Sequence, residues 1–116
     1  LRSHNETPYS VTKGAVIALT FSMATDHAED NIRVNCIAPG LVYTPMVAHR
    51  ISDKGRYLRR KSSPLTDEGT AWDVGWAVVY LASDESKWVT GIVLPVDGGL
   101  ITTTPASYQW GGSVDA

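Results

Sequence analysis

Ile32-Arg33-Val34-Asn35-Cys36-Ile37-Ala38-Pro39-Gly40 is a run of mostly branched apolar residues closed by a Pro-Gly pair. It reads as a buried strand over 32–38 whose end is forced open by that pair. Upstream, Val11, Ala15, Leu19 and Met23 recur at helical spacing with Ala18 beside them, which predicts a helix from Pro8 to His27. Thr7 suits its N-cap, and Pro8 suits the first helical position, where a missing N–H costs nothing. The helix fades through Asp26, Glu29, Asp30 and Asn31, a turn composition. A helix leading into a buried strand predicts the second half of a β–α–β unit and a parallel sheet. In such sheets ligands lie beyond the carboxyl ends of the strands, where Leu41, Val42 and Thr44 follow.

Downstream, residues 45–66 hold Met46, Val47, Tyr57, Leu58 and Pro64 among many charges. They read as a short helix and loop closing over a pocket, or as a surface excursion. Thr70 with Asp73 is a capping-box-like start for a second long helix, Ala71 to Ala82. Its apolar face is Trp72, Trp76, Val79 and Tyr80, widened by Val78 and Leu81, and it stops near Ser83-Asp84-Glu85-Ser86. Val89-Thr90-Gly91 turns the chain into a second strand, Ile92–Val96, which ends at Asp97-Gly98-Gly99. Pro95 suits an edge position there. The Thr-, Gly- and Ser-rich stretch from Ile101 to Ala116 reads as a flexible tail that Tyr108 and Trp110 could anchor on a neighbour.

Composition narrows the function classes. The 116 residues are 43% hydrophobic and 19% charged, an ordinary soluble balance for one small domain. A formal charge of −2 argues against a nucleic-acid surface. The basic cluster Arg56, Arg59, Arg60 and Lys61 reads as a solvated loop face rather than a phosphate site. A single cysteine, Cys36, rules out an internal disulfide and offers no metal-ligand set. It reads as a small core residue, and Asn35 as a group that satisfies buried backbone. His4, His27 and His49 lack metal-ligand spacing, so no metal site is expected. No apolar run is long enough for a bilayer and no signal peptide is visible, so neither a membrane partner nor export is expected. The chain opens at Leu1 rather than Met, which suggests a fragment or a processed product.

Tyr9 and Lys13 stand four residues apart at the head of the first helix, so phenol and ammonium share a face. A phenol of ordinary pKa, about 10, is a poor base at neutral pH. A neighbouring cation and a helix N-terminus both favour the phenolate. Such a tyrosine can exchange a proton with an alcohol or carbonyl oxygen. On its own the pair reads more simply as a packed ring beside a solvated charge.

Tyr9-Ser-Val-Thr-Lys13, then Arg33-Val34-Asn35-Cys36-Ile37-Ala38-Pro39-Gly40 with Val42 and Thr44, is followed by Tyr80-Leu81-Ala82-Ser83-Asp84 and by Thr90-Gly91…Val96-Asp97-Gly98-Gly99. In that order and spacing, residues 7 to 101 closely resemble the C-terminal half of a short-chain dehydrogenase/reductase. The resemblance implies an α/β, partial Rossmann-like (doubly wound) fold, its C-terminal helix-strand-helix-strand portion, with a parallel strand pair. Residues 1–101 would be that half of the domain and 102–116 the tail. It also implies an NAD(P)-dependent oxidoreductase that interconverts an alcohol and a carbonyl by hydride transfer. Tyr9 matches the catalytic acid/base and is also counted among the cofactor-binding residues, and Lys13 matches the lysine that lowers the phenol pKa and binds the nicotinamide ribose. Pro39 and Gly40 match the turn beside the nicotinamide ring, Val42 a backbone contact to the carboxamide, and Thr44 a hydroxyl that touches cofactor. The implied cofactor is NAD or NADP, the substrate a small alcohol or carbonyl compound, and the protein a cytoplasmic homo-oligomer.

The departures are equally specific. The family's Gly-rich phosphate turn, its Asn-Asn-Ala-Gly segment and its catalytic serine have no counterpart, and only eight residues precede Tyr9. Two expectations follow. Either the chain is the catalytic-side portion of an oxidoreductase that needs an N-terminal half, or it is a remnant without redox activity that folds against another copy or another chain.

Overall fold

The computed structural model describes residues 7–65 and 67–103, so His4, Thr66, Tyr108 and Trp110, and nearly all of the expected tail, lie outside the described residues. The elements run α1 (Thr7–Asp26), β1 (Cys36–Pro39), α2 (Pro45–Ala48), α3 (Asp53–Arg60), α4 (Ala71–Ala82) and β2 (Val93–Val96), with short 3-10 turns at Asp84–Ser86 and Leu100–Thr102. Two units emerge, Leu1–Ala38 with Gly75–Leu94 and Pro39–Val74 with Pro95–Ala116.

In the first unit, Thr7 is already helical, so it does not cap α1 from outside. The helix buries only Thr20 and Ala24. Val11, Val16, Ile17, Leu19 and Phe21 are all exposed and are spread around the axis. A helix that is apolar all round belongs to an interior with neighbours on every side. The chain leaves α1 through Asn31, which takes the left-handed conformation, and the Ile32 N–H returns to the His27 carbonyl at 3.2 Å.

The first strand is shorter than the sequence pattern predicts, Cys36–Pro39 in place of 32–38. Side chains account for the missing part. Asn35 Nδ2 donates to the Val89 carbonyl at 2.9 Å, and its Oδ1 accepts the Ile92 N–H at 3.2 Å. The Val34 N–H goes to Thr90 Oγ1, and Arg33 reaches the Val89 and Ser83 carbonyls. An amide side chain thus occupies both the acceptor and the donor that a strand backbone would pair, and the ladder starts one residue later. The same bond to Ile92 delays the second strand, which starts at Val93.

Regular pairing follows. The Cys36 N–H donates to the Ile92 carbonyl at 2.9 Å, and the Gly40 N–H to the Val96 carbonyl at 3.0 Å. Equal steps in the same direction make the pair parallel. Among the described residues the sheet has these two strands, β1-β2, so Pro95 sits on an edge where no N–H is wanted.

The second long helix occupies Ala71–Ala82, as its cap and periodicity predict. Asp73 Oδ2 accepts from the Thr70 N–H at 2.6 Å and from the Thr70 hydroxyl at 2.7 Å, closing the N-terminus. Thr70 holds the Asp73 carboxyl below its ordinary value, the hydroxyl bond contributing most. At the other end the fully buried Ser86 hydroxyl bonds the Leu81 and Ser83 carbonyls. No residue of α4 is buried, and Trp72, Trp76, Val78, Val79 and Tyr80 are exposed. Trp88 is 96% exposed. Among the described residues the buried apolar side chains are Ala24 and Leu100.

Candidate active site

Helical spacing sets Tyr9 and Lys13 on one face of α1, and the structure brings them together. The Lys13 ammonium lies over the Tyr9 ring, 5.3 Å from its centroid. At that distance the cation is within reach of the ring's negative face. Tyr9 is 59% exposed, so nothing in its unit seals the phenol. The Thr12 hydroxyl turns back on the Tyr9 carbonyl at 2.7 Å and takes no part in the pair.

Pro39, Gly40, Val42 and Thr44 belong to the second unit, at and beyond the end of β1. Gly40 is there because no side chain fits: a Cβ would stand 2.6 Å from both Cα and Cβ of Asp97. Beyond it the Val42 N–H returns to the Gly40 carbonyl at 2.9 Å, a tight reversal at Leu41. Val42 then pairs with Gly69 in a parallel bridge, and the Tyr43 N–H donates to the Gly69 carbonyl at 2.9 Å. Thr44 sits at the N-cap of α2 in extended conformation, yet its side chain makes no capping bond. Pro45 has no N–H to satisfy, and the Thr44 carbonyl takes the Val47 and Ala48 N–H groups. The Thr44 hydroxyl is therefore not consumed by the helix it starts.

The segment 45–66, read as a short helix and loop over a pocket or as a surface excursion, holds two helices, α2 and α3, among its described residues. Ser52 Oγ caps α3 by accepting the Gly55 N–H at 3.2 Å, and Asp53 at its head with Arg59 and Arg60 at its foot complement the helix dipole. A cavity of about 580 Å³ lies in this unit, lined among others by Leu41, Val42, Thr70, Asp97 and Gly98. Of the six expected site residues only Val42 lines it. Asp97 shapes its wall: its carboxylate accepts the Gly99 and Ile101 N–H groups, and Gly98 and Gly99 both take positive φ.

The basic cluster divides. Lys61 stacks on Tyr57 with its ammonium 5.9 Å from the ring centroid, and Arg60 meets exposed Asp67 at 3.8 Å, in keeping with a solvated face. Arg56 does not fit that description. Its Nε lies 2.9 and 3.2 Å from the two Glu68 carboxylate oxygens, and its guanidinium carbon is 3.9 Å from the Tyr43 ring centroid. The bond to Glu68 raises its pKa further above the ordinary guanidinium value. Sequence spacing gives no sign of this pairing, because the three residues are brought together by the fold. Cys36 is half-buried and, among the described residues, no group of three or more His, Cys, Asp or Glu side chains could hold a metal ion.

A helix–strand–helix–strand order with a parallel pair defines the C-terminal portion of a Rossmann-like α/β fold. The chain belongs to the short-chain dehydrogenase/reductase family. The family model described as enoyl-(acyl carrier protein) reductase matches residues 2–101. The 3-oxoacyl-[acyl-carrier-protein] reductase FabG of Thermotoga maritima is 41% identical over 96 residues, covering 83% of this chain and 39% of that protein. Dehydrogenase/reductase SDR family member 6 of Danio rerio is 44% identical over 103 residues, covering 82% of this chain and 41% of that one. Among solved structures, 4-hydroxyisoleucine dehydrogenase complexed with NADH is 33% identical with a TM-score of 0.77, covering 83% of this chain and 40% of that one. The chain thus spans about two-fifths of the length of the relatives it matches. Among the described residues no helix is long and apolar enough to cross a membrane.

Proposed function

We propose that this chain is the catalytic-side portion of an NAD(P)-dependent oxidoreductase that interconverts a small alcohol and its carbonyl compound. The observation that carries this reading is the Tyr9–Lys13 pair, two side chains that share one exposed face at the head of α1. A bound nicotinamide would supply or accept the hydride. Tyr9 Oη gives its proton to the substrate oxygen when a carbonyl is reduced and takes it back when an alcohol is oxidised. Lys13, on the same face, would hold a ribose hydroxyl of that cofactor. The residues of the second unit fit a nicotinamide as well: the Thr44 hydroxyl is left over by its helix, and Gly40 keeps the turn narrow. Val42 would contact the carboxamide through its backbone. Residues 1–101 are on this reading one half of the domain, and an N-terminal half supplies the phosphate turn and the serine.

The same reading gives the exposed apolar faces of α1 and α4 to covering surfaces, the N-terminal half and a second copy of the protein. Sedimentation of the full-length protein as a compact monomer at high concentration would remove the second copy. For the chemistry, the full-length protein is screened with NADH and NADPH against ketones and the corresponding alcohols. Tyr9→Phe should then lower kcat by about 100-fold or more while NADH affinity stays within about threefold. Turnover at the wild-type rate in Tyr9→Phe would reject the assignment of Tyr9, and absence of any nucleotide-dependent turnover in wild type would favour a remnant without redox activity.

A further inference from the structure

Arg56 stands within α3 with its guanidinium engaged on two sides. One edge forks onto both carboxylate oxygens of Glu68, and one face lies on the Tyr43 ring. A planar cation that stacks and chelates at once is a use arginine meets and lysine does not. The two partners are already joined through backbone, by the Val42–Gly69 bridge and the bond from the Tyr43 N–H to the Gly69 carbonyl. Arg56 therefore closes a ring: Tyr43 backbone to Gly69, the neighbouring Glu68 carboxylate to Arg56, and Arg56 to the Tyr43 ring. The Glu68 side chain is only 12% exposed, which shields the pair from water and salt better than the open Arg60–Asp67 contact beside it. The arginine end is itself anchored, since the Arg56 N–H donates to the Ser52 carbonyl at 2.8 Å in the first turn of α3.

We propose that Arg56, acting through Glu68 and Tyr43, is a positioning residue that holds the Val42–Thr44 backbone in place for a nicotinamide cofactor. The proposal rests on the reading of Val42 and Thr44 given under Proposed function. Among the described residues the strand pairing of this segment amounts to one isolated bridge, so its order depends on what grips the side chains. A segment already ordered before the cofactor arrives does not have to be ordered by it, and affinity rises accordingly. Arg56 also ties α3 to that segment, so the two move together.

The test uses the full-length protein and its Arg56→Ala, Arg56→Lys, Tyr43→Phe and Tyr43→Leu variants, with two readouts. Amide hydrogen exchange at Tyr43 reports the clamp alone, and NADH and NADPH titrations report its consequence. Arg56→Ala should speed Tyr43 exchange about tenfold and weaken the preferred nucleotide about tenfold. Tyr43→Leu should follow it, Tyr43→Phe should match wild type because the ring remains, and Arg56→Lys should recover only part. Unchanged Tyr43 exchange in Arg56→Ala overturns the proposal, as does faster exchange with unchanged nucleotide affinity. Equal damage from Tyr43→Phe and Tyr43→Leu also overturns it, since the ring would then not be the partner. If wild type binds neither nucleotide, the nicotinamide reading fails by itself, and Tyr43 exchange alone decides whether the clamp exists.

Discussion

Gly40 and Gly14 show how differently one residue type is used in this chain. At Gly40 a Cβ would meet Asp97 Cα at 2.6 Å, and a backbone atom cannot step aside as a flexible side chain can. At Gly14 a Cβ would meet nothing within 4 Å, and the position is interior to α1. Gly40→Ala should therefore destabilise the full-length protein by about 1–3 kcal/mol, the range of overpacking. Gly14→Ala should stabilise α1 in the 116-residue polypeptide, where the position is open, by roughly 0.5–1 kcal/mol through helix propensity. Urea unfolding followed by circular dichroism measures both, and the same sign for the two would refute the distinction. At this scale the sequence discloses what obeys a local period. The Tyr9–Lys13 pairing follows from i, i+4 alone, whereas the crowding at Gly40 depends on Asp97, far along the chain. Arg56 is hidden for the same reason: its partners Tyr43 and Glu68 lie thirteen residues before it and twelve after.

Among the elements, α4 carries its own boundary conditions. Thr70 and Asp73 bond each other across the first turn, and Ser86 closes the far end, so sequence reading finds both ends. The start of β1 is misread because apolar pattern records burial and not pairing: Asn35 takes the Val89 and Ile92 backbone groups with its side chain. The Asp73 cap also makes a pH prediction. Its carboxyl is held below the ordinary value by the Thr70 hydroxyl and N–H, so the folded state binds a proton less readily than the unfolded chain. That contribution is complete above the unfolded carboxylate range and is lost as pH falls through the lower folded value. Asp73→Asn removes the titration. Between pH 5 and strongly acidic solution the full-length protein should lose stability less steeply in Asp73→Asn than in wild type, read as melting temperature against pH. Parallel curves would mean that the Asp73–Thr70 bonds are not formed in solution.

On the scale of the whole molecule, few apolar side chains are buried among the described residues. Ala24 and Leu100 are small returns beside the exposed Val11, Leu19, Phe21, Trp76 and Val79 of α1 and α4. Burying one side chain of that size contributes about 1.5–3 kcal/mol, so covering several of them is comparable with the entire stability of a domain. On the reading under Proposed function, the covering surface and the phosphate-binding turn would come from the same place, an N-terminal half; the matched relatives are about twice as long as this chain. Cofactor binding and a closed core should therefore appear together or not at all. NADH titrated into the 116-residue polypeptide by itself should give no saturable signal, while the polypeptide binds a hydrophobic dye and melts without a sharp transition. The full-length protein should bind NADH or NADPH, exclude the dye and melt cooperatively. The informative exception would be micromolar NADH binding by the isolated polypeptide: Tyr9, Lys13 and the Val42–Thr44 segment would then suffice for the cofactor, and the missing phosphate turn would not govern affinity.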